Sequence, residues 1–286
     1  MFSWIRNRRR ATSPQPLGPI VIYHHIAKTG GTSLRKVVQA NYKGRTLLEL
    51  YGPNRGSVDW YQRFYHALSY KQKAEIQCIA AHSAHYIIPI IDRPFRVFTL
   101  IRDPVDRVIS LYYFTRGLAK KGVGKGAQIG QALEALGWDL ADIYLHVGVE
   151  QDAAPEYRQL FAPFFNGQTR AILGPHVDTA AMPIVAGAPE ELMPYYNKLN
   201  DVLAQHYELG VTELYALSVR YFAQVFGWRR LFFVHKNRTK TRPKVQEFSD
   251  ETIAMIRTFN QLDVTLHAQA RIYLLAHATE KIQEIE

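Results

Sequence analysis

The sequence predicts an α/β fold of three layers, in which a central parallel sheet lies between helices. Three stretches predict it, because each has a buried β-branched run followed by a loop and then by apolar residues at helical spacing: residues 20–39, 95–114 and 207–226. Alternating strands and helices favour parallel pairing, since each helix returns the chain to the same edge of the sheet. Polar groups that follow these strands are therefore expected at the carboxyl edge.

Length and composition limit the class of protein. The 286 residues, 47% of them apolar, fit one large domain from residue 20 to the C-terminus. The single cysteine, Cys78, excludes an internal disulfide and a multi-cysteine zinc site, so the fold needs no oxidising compartment. The net charge of +10 indicates a polyanionic cofactor, substrate or surface.

Residues 1–19 form a basic N-terminal arm. Arg6, Arg8, Arg9 and Arg10 precede a stretch rich in serine, proline and glycine, which predicts a flexible solvated tail. Peripheral contact with a membrane surface is the sharper alternative, and nucleic-acid binding is not expected. The N-terminus has neither an apolar run of membrane-spanning length nor a signal-peptide core, which predicts a cytoplasmic protein.

The stretch 20–39 reads as strand, glycine loop and helix. Two adjacent glycines let the backbone approach an anion, a helix N-terminus presents unpaired N–H groups, and a lysine adds a positive charge. The predicted phosphate-binding residues are Lys28, Thr29, Gly30, Gly31, Thr32 and Ser33, of which Thr32 and Ser33 are also good helix-capping residues. A Walker A motif would place the lysine after the glycines, so a nucleoside triphosphatase is disfavoured.

Two histidines follow the next predicted strand, which begins at Ile76. His82 and His85 stand at its carboxyl end. Before this strand the sequence predicts a loop and then a helix over Val58–Glu75. A neutral imidazole can accept a hydroxyl proton near pH 7, so either could act as a general base. A buried structural histidine is the alternative for each.

The stretch 95–114 carries a second phosphate motif. Arg102 ends a buried strand, Asp103 can cap the following helix, and Pro104 fits its first position. A guanidinium at a strand end, with the Ser110 hydroxyl in the next helix, suits a phosphate monoester. Arg107 is expected to brace the loop through a carboxylate.

These motifs, taken in order, resemble the carbohydrate sulfotransferases that use 3′-phosphoadenylyl sulfate (PAPS), a family that includes heparan sulfate 2-O-sulfotransferases. The resemblance is carried by the Lys28 loop, by His82 and by the pattern from Arg102 to Ser110, although Ala27 replaces the usual proline. It implies a P-loop-like fold, His82 as general base and Lys28 at the leaving nucleotide. It also implies that Arg102 and Ser110 bind the 3′-phosphate.

The rest of the chain is read against the same resemblance. Residues 117–205 are expected to be an acceptor-binding insertion, with a mobile basic loop over 117–130, a helix over 129–145, a loop over 175–194 and a helix over 191–205. Segment 164–174 resembles one that packs beside the active site, with no role assigned to Asn166, Gln168 or Arg170. A strand is predicted at Tyr207–Val211, and one long amphipathic helix from Ser249. A late loop is expected to wrap the nucleotide through Lys236, Asn237, Arg238 and Thr239.

The resemblance implies a sulfotransferase with PAPS as co-substrate, a carbohydrate or glycan acceptor, and no metal. Two alternatives remain open. A P-loop-type kinase would need magnesium ligands and a triphosphate, and a non-enzymatic polyanion-binding protein would account for the net charge but not for the position of His82.

Overall fold

One parallel sheet organises the described residues, which in the computed structural model are 18–52, 58–174, 176–179, 181–184, 189–231 and 243–283. Its strands are β1 (Ile20–His24), β2 (Leu47–Leu50), β3 (Cys78–Ala81), β4 (Phe95–Ile101) and β5 (Tyr207–Val211). They pair in the order β2-β3-β1-β4-β5, every neighbouring pair parallel. The predicted α/β class is confirmed, and β1 is the central strand.

Helices cover both faces of this sheet. The α-helices are α1 (Gly31–Asn41), α2 (Val58–Ala67), α3 (Tyr70–Glu75), α4 (Pro104–Arg116), α5 (Gly124–Leu136), α6 (Leu140–Asp142), α7 (Pro155–Phe161), α8 (Gly167–Leu173), α9 (Pro189–His206), α10 (Tyr215–Phe226), α11 (Asp250–Thr258) and α12 (Gln261–Gln283). A π-helix spans Ile143–Val149. Short 3₁₀ turns lie at Gly44–Thr46, Ala84–Tyr86, Ile88–Ile90, Ala119–Lys121, Ala162–Phe164, Thr212–Leu214 and Val245–Glu247.

The core has two main parts. The larger packs the helices against the sheet, where β3 is buried along its whole length and the predicted strand β5 is buried as well. The second lies among α4, α5, the π-helix and α11, and is built on side chains such as Val108, Leu133 and Phe165. Strand β3 is accordingly apolar throughout, as expected for a sheet covered on both faces.

Two predicted long helices are each broken in the structure. The prediction over Val58–Glu75 is wrong as one helix, because Ser69 caps a new helix by accepting a bond from the Gln72 amide. The C-terminal helix does begin after Ser249, which caps it as expected. It ends at Thr258, however, and α12 starts at Gln261, directly after the buried Asn260.

The predicted loop over 117–130 is largely helical. Helix α5 begins at Gly124, and Gly130 packs so closely on α4 that an added Cβ would lie 2.2 Å from the Thr115 carbonyl oxygen. The helix predicted over 129–145 ends instead at Leu136, where Gly137 adopts the left-handed conformation that closes many helices. Helix α9 likewise starts at Pro189, within the predicted loop.

Of the basic arm, residues 1–17 lie outside the described residues. Within the described part of the chain, no helix has both the length and the apolar character required to cross a membrane.

Candidate active site

A loop with two left-handed residues connects β1 to α1. Lys28 has a φ of 71° and Gly30 a φ of 82°, and only the glycine adopts this region without strain. Thr29 lies between them and is tied on both sides: its hydroxyl donates to the Ile26 carbonyl at 2.9 Å, and its own carbonyl accepts from the Thr212 hydroxyl at 2.6 Å. These bonds fix the main chain at Lys28.

Gly31 begins α1 where a side chain has no room. An added Cβ would lie 2.0 Å from the His25 ring and 2.5 Å from the Tyr23 hydroxyl, which donates to the Gly31 carbonyl at 3.1 Å. Gly30, at the N-cap, supplies no side chain to bond the first amides of the helix. Amides at such a helix start are suited to an anion.

The predicted capping by Thr32 and Ser33 is wrong, because the helix starts before them. Ser33 is buried, and its amide donates to the Gly30 carbonyl at 3.1 Å. Thr32 is exposed, whereas Thr29 is only 1% exposed. The hydroxyl of Thr29 therefore shapes the loop and is not presented at its surface.

The Lys28 side chain reaches the second motif. Its Nζ lies 4.0 Å from the centre of the Phe114 ring, on α4. Phe114 is four residues beyond Ser110, so both side chains lie on one face of that helix. The lysine and the predicted 3′-phosphate helix therefore adjoin.

Arg102 contacts the Lys28 loop directly. Its guanidinium donates to the Lys28 carbonyl at 2.9 Å. The same guanidinium forms an ion pair with Asp106, in which Nε donates to Oδ2 at 2.8 Å and a terminal nitrogen bonds the same oxygen. Arg102 thus joins the two motifs and already has an anionic partner.

Arg107 supports the loop, although not through a carboxylate as expected. Its guanidinium is buried and donates to the main-chain carbonyls of Ala27 at 3.2 Å and Pro163 at 3.0 Å. The nearest acid in sequence, Asp106, is instead paired with Arg102. Ser110 is also buried, at 8% exposure.

The segment without an assigned role holds the end of β4. Gln168 makes two bonds with the main chain of Arg102, accepting from its amide and donating to its carbonyl, each at 2.9 Å. Asp263 in turn accepts from the amides of Gln168 at 3.0 Å and Thr169 at 2.8 Å. Asn166 accepts from the Asp263 amide at 3.2 Å. Sequence reasoning missed this support, for which the only signal was buried polar residues in two distant segments.

Arg170 performs a separate structural role. Its Nε donates to the Phe165 carbonyl at 2.7 Å, and a terminal nitrogen donates to Met182 and Pro183 at 2.8 and 3.0 Å. Burial lowers its pKa to about 10. It holds the segment after α8 and does not face the candidate site residues.

The ring of His82 is oriented by one hydrogen bond to the main chain. Its Nδ1 lies 2.7 Å from the His25 carbonyl oxygen. A carbonyl only accepts, so Nδ1 carries the proton and the Nε2 lone pair of the neutral ring is left for another partner. Part of the ring is exposed, yet the neighbouring rings of His25 and Tyr51, at 4.2 and 5.1 Å, desolvate it. This desolvation, with the charge of Arg35, lowers the pKa of His82 although the bond to His25 opposes the shift.

A second cation stands beside this ring cluster. Arg35 lies 4.1 Å over the face of Tyr51 and donates from Nε to Glu49 at 2.6 Å. Tyr51 also bonds Nδ1 of His25 at 3.2 Å. The pKa of His25 is well below its ordinary value, because burial and then the adjacent His82 disfavour its charged form.

Strand order sets the lateral arrangement of the site. The Lys28 loop follows the central strand β1, Arg102 follows β4 on one side, and His82 follows β3 on the other. Parallel strands bring all three to one edge of the sheet. The structure therefore brings together the residues that three separate stretches of sequence predicted.

Some predicted residues cannot be placed. Lys236, Asn237, Arg238 and Thr239 lie outside the described residues. His85, the alternative base, belongs to the turn Ala84–Tyr86.

A group of metal-ligand type occurs on the helical insertion. Nδ1 of His146 lies 3.2 Å from a carboxylate oxygen of Glu150 and 3.1 Å from one of Asp152. All three ligand atoms are within 4.8 Å of one another, in the part of the chain that the structure describes. The group belongs to the π-helix and the turn after it, and not to the sheet edge that carries the candidate site.

A groove of about 570 Å³ opens at the edge of the sheet where the strands begin, between the end of α1 and the residues that follow α10. Asn41, Trp228, Arg229 and Arg230 are among its lining residues. Among the residues that the structure describes, no predicted site residue lines this groove.

The chain matches no protein-family model, and no curated protein shows significant similarity to it.

Proposed function

We propose that this chain is a sulfotransferase that uses 3′-phosphoadenylyl sulfate and transfers its sulfuryl group to a hydroxyl of a carbohydrate acceptor. The observation that carries the proposal is the 2.9 Å bond between the Arg102 guanidinium and the Lys28 carbonyl. It joins the predicted 5′-phosphate and 3′-phosphate regions, so one bis-phosphorylated nucleotide can span both. His82 follows β3, which pairs with β1 on the side opposite to β4.

The residues present suit such a nucleotide. Lys28, Arg102 and the first amides of α1 are cationic or N–H donors, and these groups bind phosphate and sulfate oxygens well. Gly31 leaves no Cβ at the start of the helix, where the ring of His25 and the Tyr23 hydroxyl already fill the space. The amides from Thr29 to Ser33 would hold the 5′-phosphate, and Arg102 and Ser110 the 3′-phosphate.

Two side chains would perform the chemistry. Bound at this edge, the nucleotide supplies the sulfuryl group and leaves as adenosine 3′,5′-bisphosphate. His82 accepts the proton of the acceptor hydroxyl on Nε2, because its Nδ1 is already protonated and bonded to His25. Lys28 stabilises the negative charge that develops on the bridging oxygen of the leaving phosphate.

Nucleotide selectivity tests the proposal first. Calorimetric titration should give much tighter binding of adenosine 3′,5′-bisphosphate than of 5′-AMP or of ATP with Mg²⁺. A preference for ATP with Mg²⁺ would favour the kinase alternative. Salt-sensitive heparin binding without nucleotide selectivity would favour the polyanion-binding alternative.

Transfer is tested with sulfur-labelled donor and a panel of glycans, lipids and phenols. The proposal expects labelled product from the glycans, formed at a rate that depends on His82. Label on the phenols alone would contradict the carbohydrate acceptor, and no labelled product with any acceptor would contradict the transferase.

A further inference from the structure

The backbone beneath Lys28 is fixed, but its side chain is long. The Lys28 carbonyl accepts from Arg102, and the next residue is bonded through both its hydroxyl and its carbonyl. A lysine side chain nevertheless has four rotatable bonds and considerable rotamer entropy. The fixed loop therefore does not by itself determine where the ammonium lies, and a contact made by the side chain would restrict it.

Phe114 provides that contact. Nζ of Lys28 lies 4.0 Å from the ring centre, well within the range of a cation–π attraction. The other surroundings of the ring include α5, since a Cβ added at Gly126 would lie 4.0 Å from its Cε1 atom. The ring therefore lies close to both α5 and the Lys28 ammonium.

The exposure of Phe114 is not explained by core packing. The residue is 45% exposed and belongs to neither main cluster of buried apolar side chains. Its neighbour one turn earlier on the same helix face is Ser110, a predicted phosphate ligand. Orientation of the Lys28 ammonium beside that face of α4 would account for a large exposed ring at this position.

We infer that Phe114 is a positioning residue that holds the Lys28 ammonium over its ring, ready for the bridging oxygen of the donor. This inference rests on the proposed sulfotransferase function. The aromatic face is what matters, so tyrosine or tryptophan should replace phenylalanine, whereas leucine of similar size should not.

Lysine labelling tests the contact without any activity assay. The chain is treated briefly with an amine-acylating reagent, and modification at Lys28 is quantified by peptide mass spectrometry. Phe114→Leu should raise the rate at Lys28 about two- to fivefold, as expected for loss of a cation–π contact at an accessible site. Phe114→Tyr should leave the rate unchanged. Leu275→Ala, at a site of 47% exposure on α12, is the matched control and should also leave it unchanged.

Steady-state kinetics tests the role in transfer. Phe114→Leu should lower kcat about two- to fivefold and leave the KM for the donor within twofold, while Phe114→Tyr and Phe114→Trp keep the wild-type kcat. Equal labelling and equal kcat in Phe114→Leu and wild type would overturn the inference, as would equal loss in all three variants. A wild-type chain that binds no bisphosphate and transfers no sulfate would instead overturn the proposed function, whatever the labelling shows.

Discussion

The two predicted phosphate regions differ in which of their polar groups already have hydrogen-bond or ion-pair partners within the protein. In the Lys28 loop, the Thr29 hydroxyl donates within the loop, to the Ile26 carbonyl, and the start of α1 carries no side-chain cap. In the second region, by contrast, the Arg102 guanidinium is paired with Asp106. The first region is thus preorganised by its main chain, whereas in the second a phosphate ligand would have to share or displace the carboxylate partner of Arg102. A sequence motif identifies both, but only the contacts distinguish them.

The largest expected effect is a loss of transfer without a loss of nucleotide binding, on substitution of His82, the proposed base. His82→Ala removes the proton acceptor and should lower transfer by about 10²–10⁴-fold. Affinity for adenosine 3′,5′-bisphosphate should be nearly unchanged by calorimetry, because neither phosphate region includes this side chain. His66→Ala, at an exposed position on α2, is the control. Normal turnover in His82→Ala would show that the base assignment is wrong.

Removal of the guanidinium tests the second region. Arg102→Ala should weaken adenosine 3′,5′-bisphosphate binding about tenfold or more, since charge-assisted hydrogen bonds are lost. Binding of 5′-AMP, which lacks the 3′-phosphate, should change little. Arg63→Ala, which removes an exposed arginine, should alter neither titration. Equal weakening of both nucleotides would contradict the assignment to the 3′-phosphate.

A methyl group at Gly31 tests the first region. Gly31→Ala places a Cβ against the His25 ring and the Tyr23 hydroxyl, so the free energy of unfolding should fall by about 1–3 kcal/mol. Thermal unfolding measures this loss. Gly117→Ala is the control, because an added Cβ there would meet its nearest atom at 3.4 Å. If the two variants melt at the same temperature, the tight packing at Gly31 is disproved.

Neutralising Asp106 sharpens the comparison, because it frees Arg102 from its anionic partner. Asp106→Asn should strengthen bisphosphate binding about two- to fivefold, in keeping with the modest strength of accessible ion pairs. Asp59→Asn offers a control at the same spacing, since Asp59 pairs with Arg63 four residues later. Weaker binding in Asp106→Asn would mean that the carboxylate orients the guanidinium for its ligand.

The smallest expected effect is on the pH dependence of the melting temperature. His25 and His82 both have pKa values below the ordinary 6.5. The unfolded chain then binds more protons than the folded chain just below pH 6.5, so the melting temperature should fall as the pH is lowered from 7 towards 5. His82→Ala should reduce this slope. A slope that is unchanged in His82→Ala would contradict a lowered pKa of His82.

Local patterns predicted the parts of the fold that depend on neighbouring residues. Strands β1, β3, β4 and β5, the cap at Asp103 and the start of the helix at Pro104 follow from adjacent residues, and the structure confirms them. Strand β2 was not predicted, because the residues before α2 were interpreted as a loop. The break at Ser69 was also local, because its capping box with Gln72 is readable in the sequence, but the apolar spacing concealed it.

Other features could not be read locally. From Gly124 onward the predicted loop over 117–130 is an α-helix in which Gly130 packs on α4, whereas a glycine-rich sequence alone argues against a helix. Gln168 supports Arg102 from 66 residues away. Arg102 itself was predicted to be a phosphate ligand from its position, whereas its pairing with Asp106 depends on side-chain geometry.

The polar bonds at Asp263 have a consequence for synthesis of the chain. Asp263 bonds the amide of Gln168, 95 residues earlier, and Gln168 in turn holds the end of β4. During translation the bond from the Thr29 hydroxyl to the Ile26 carbonyl can form early, but the Thr29 carbonyl must wait for Thr212, and the Arg102 end lacks the support of Asp263 until α12 has left the ribosome. A growing chain would therefore complete this edge of the sheet only near the end of synthesis.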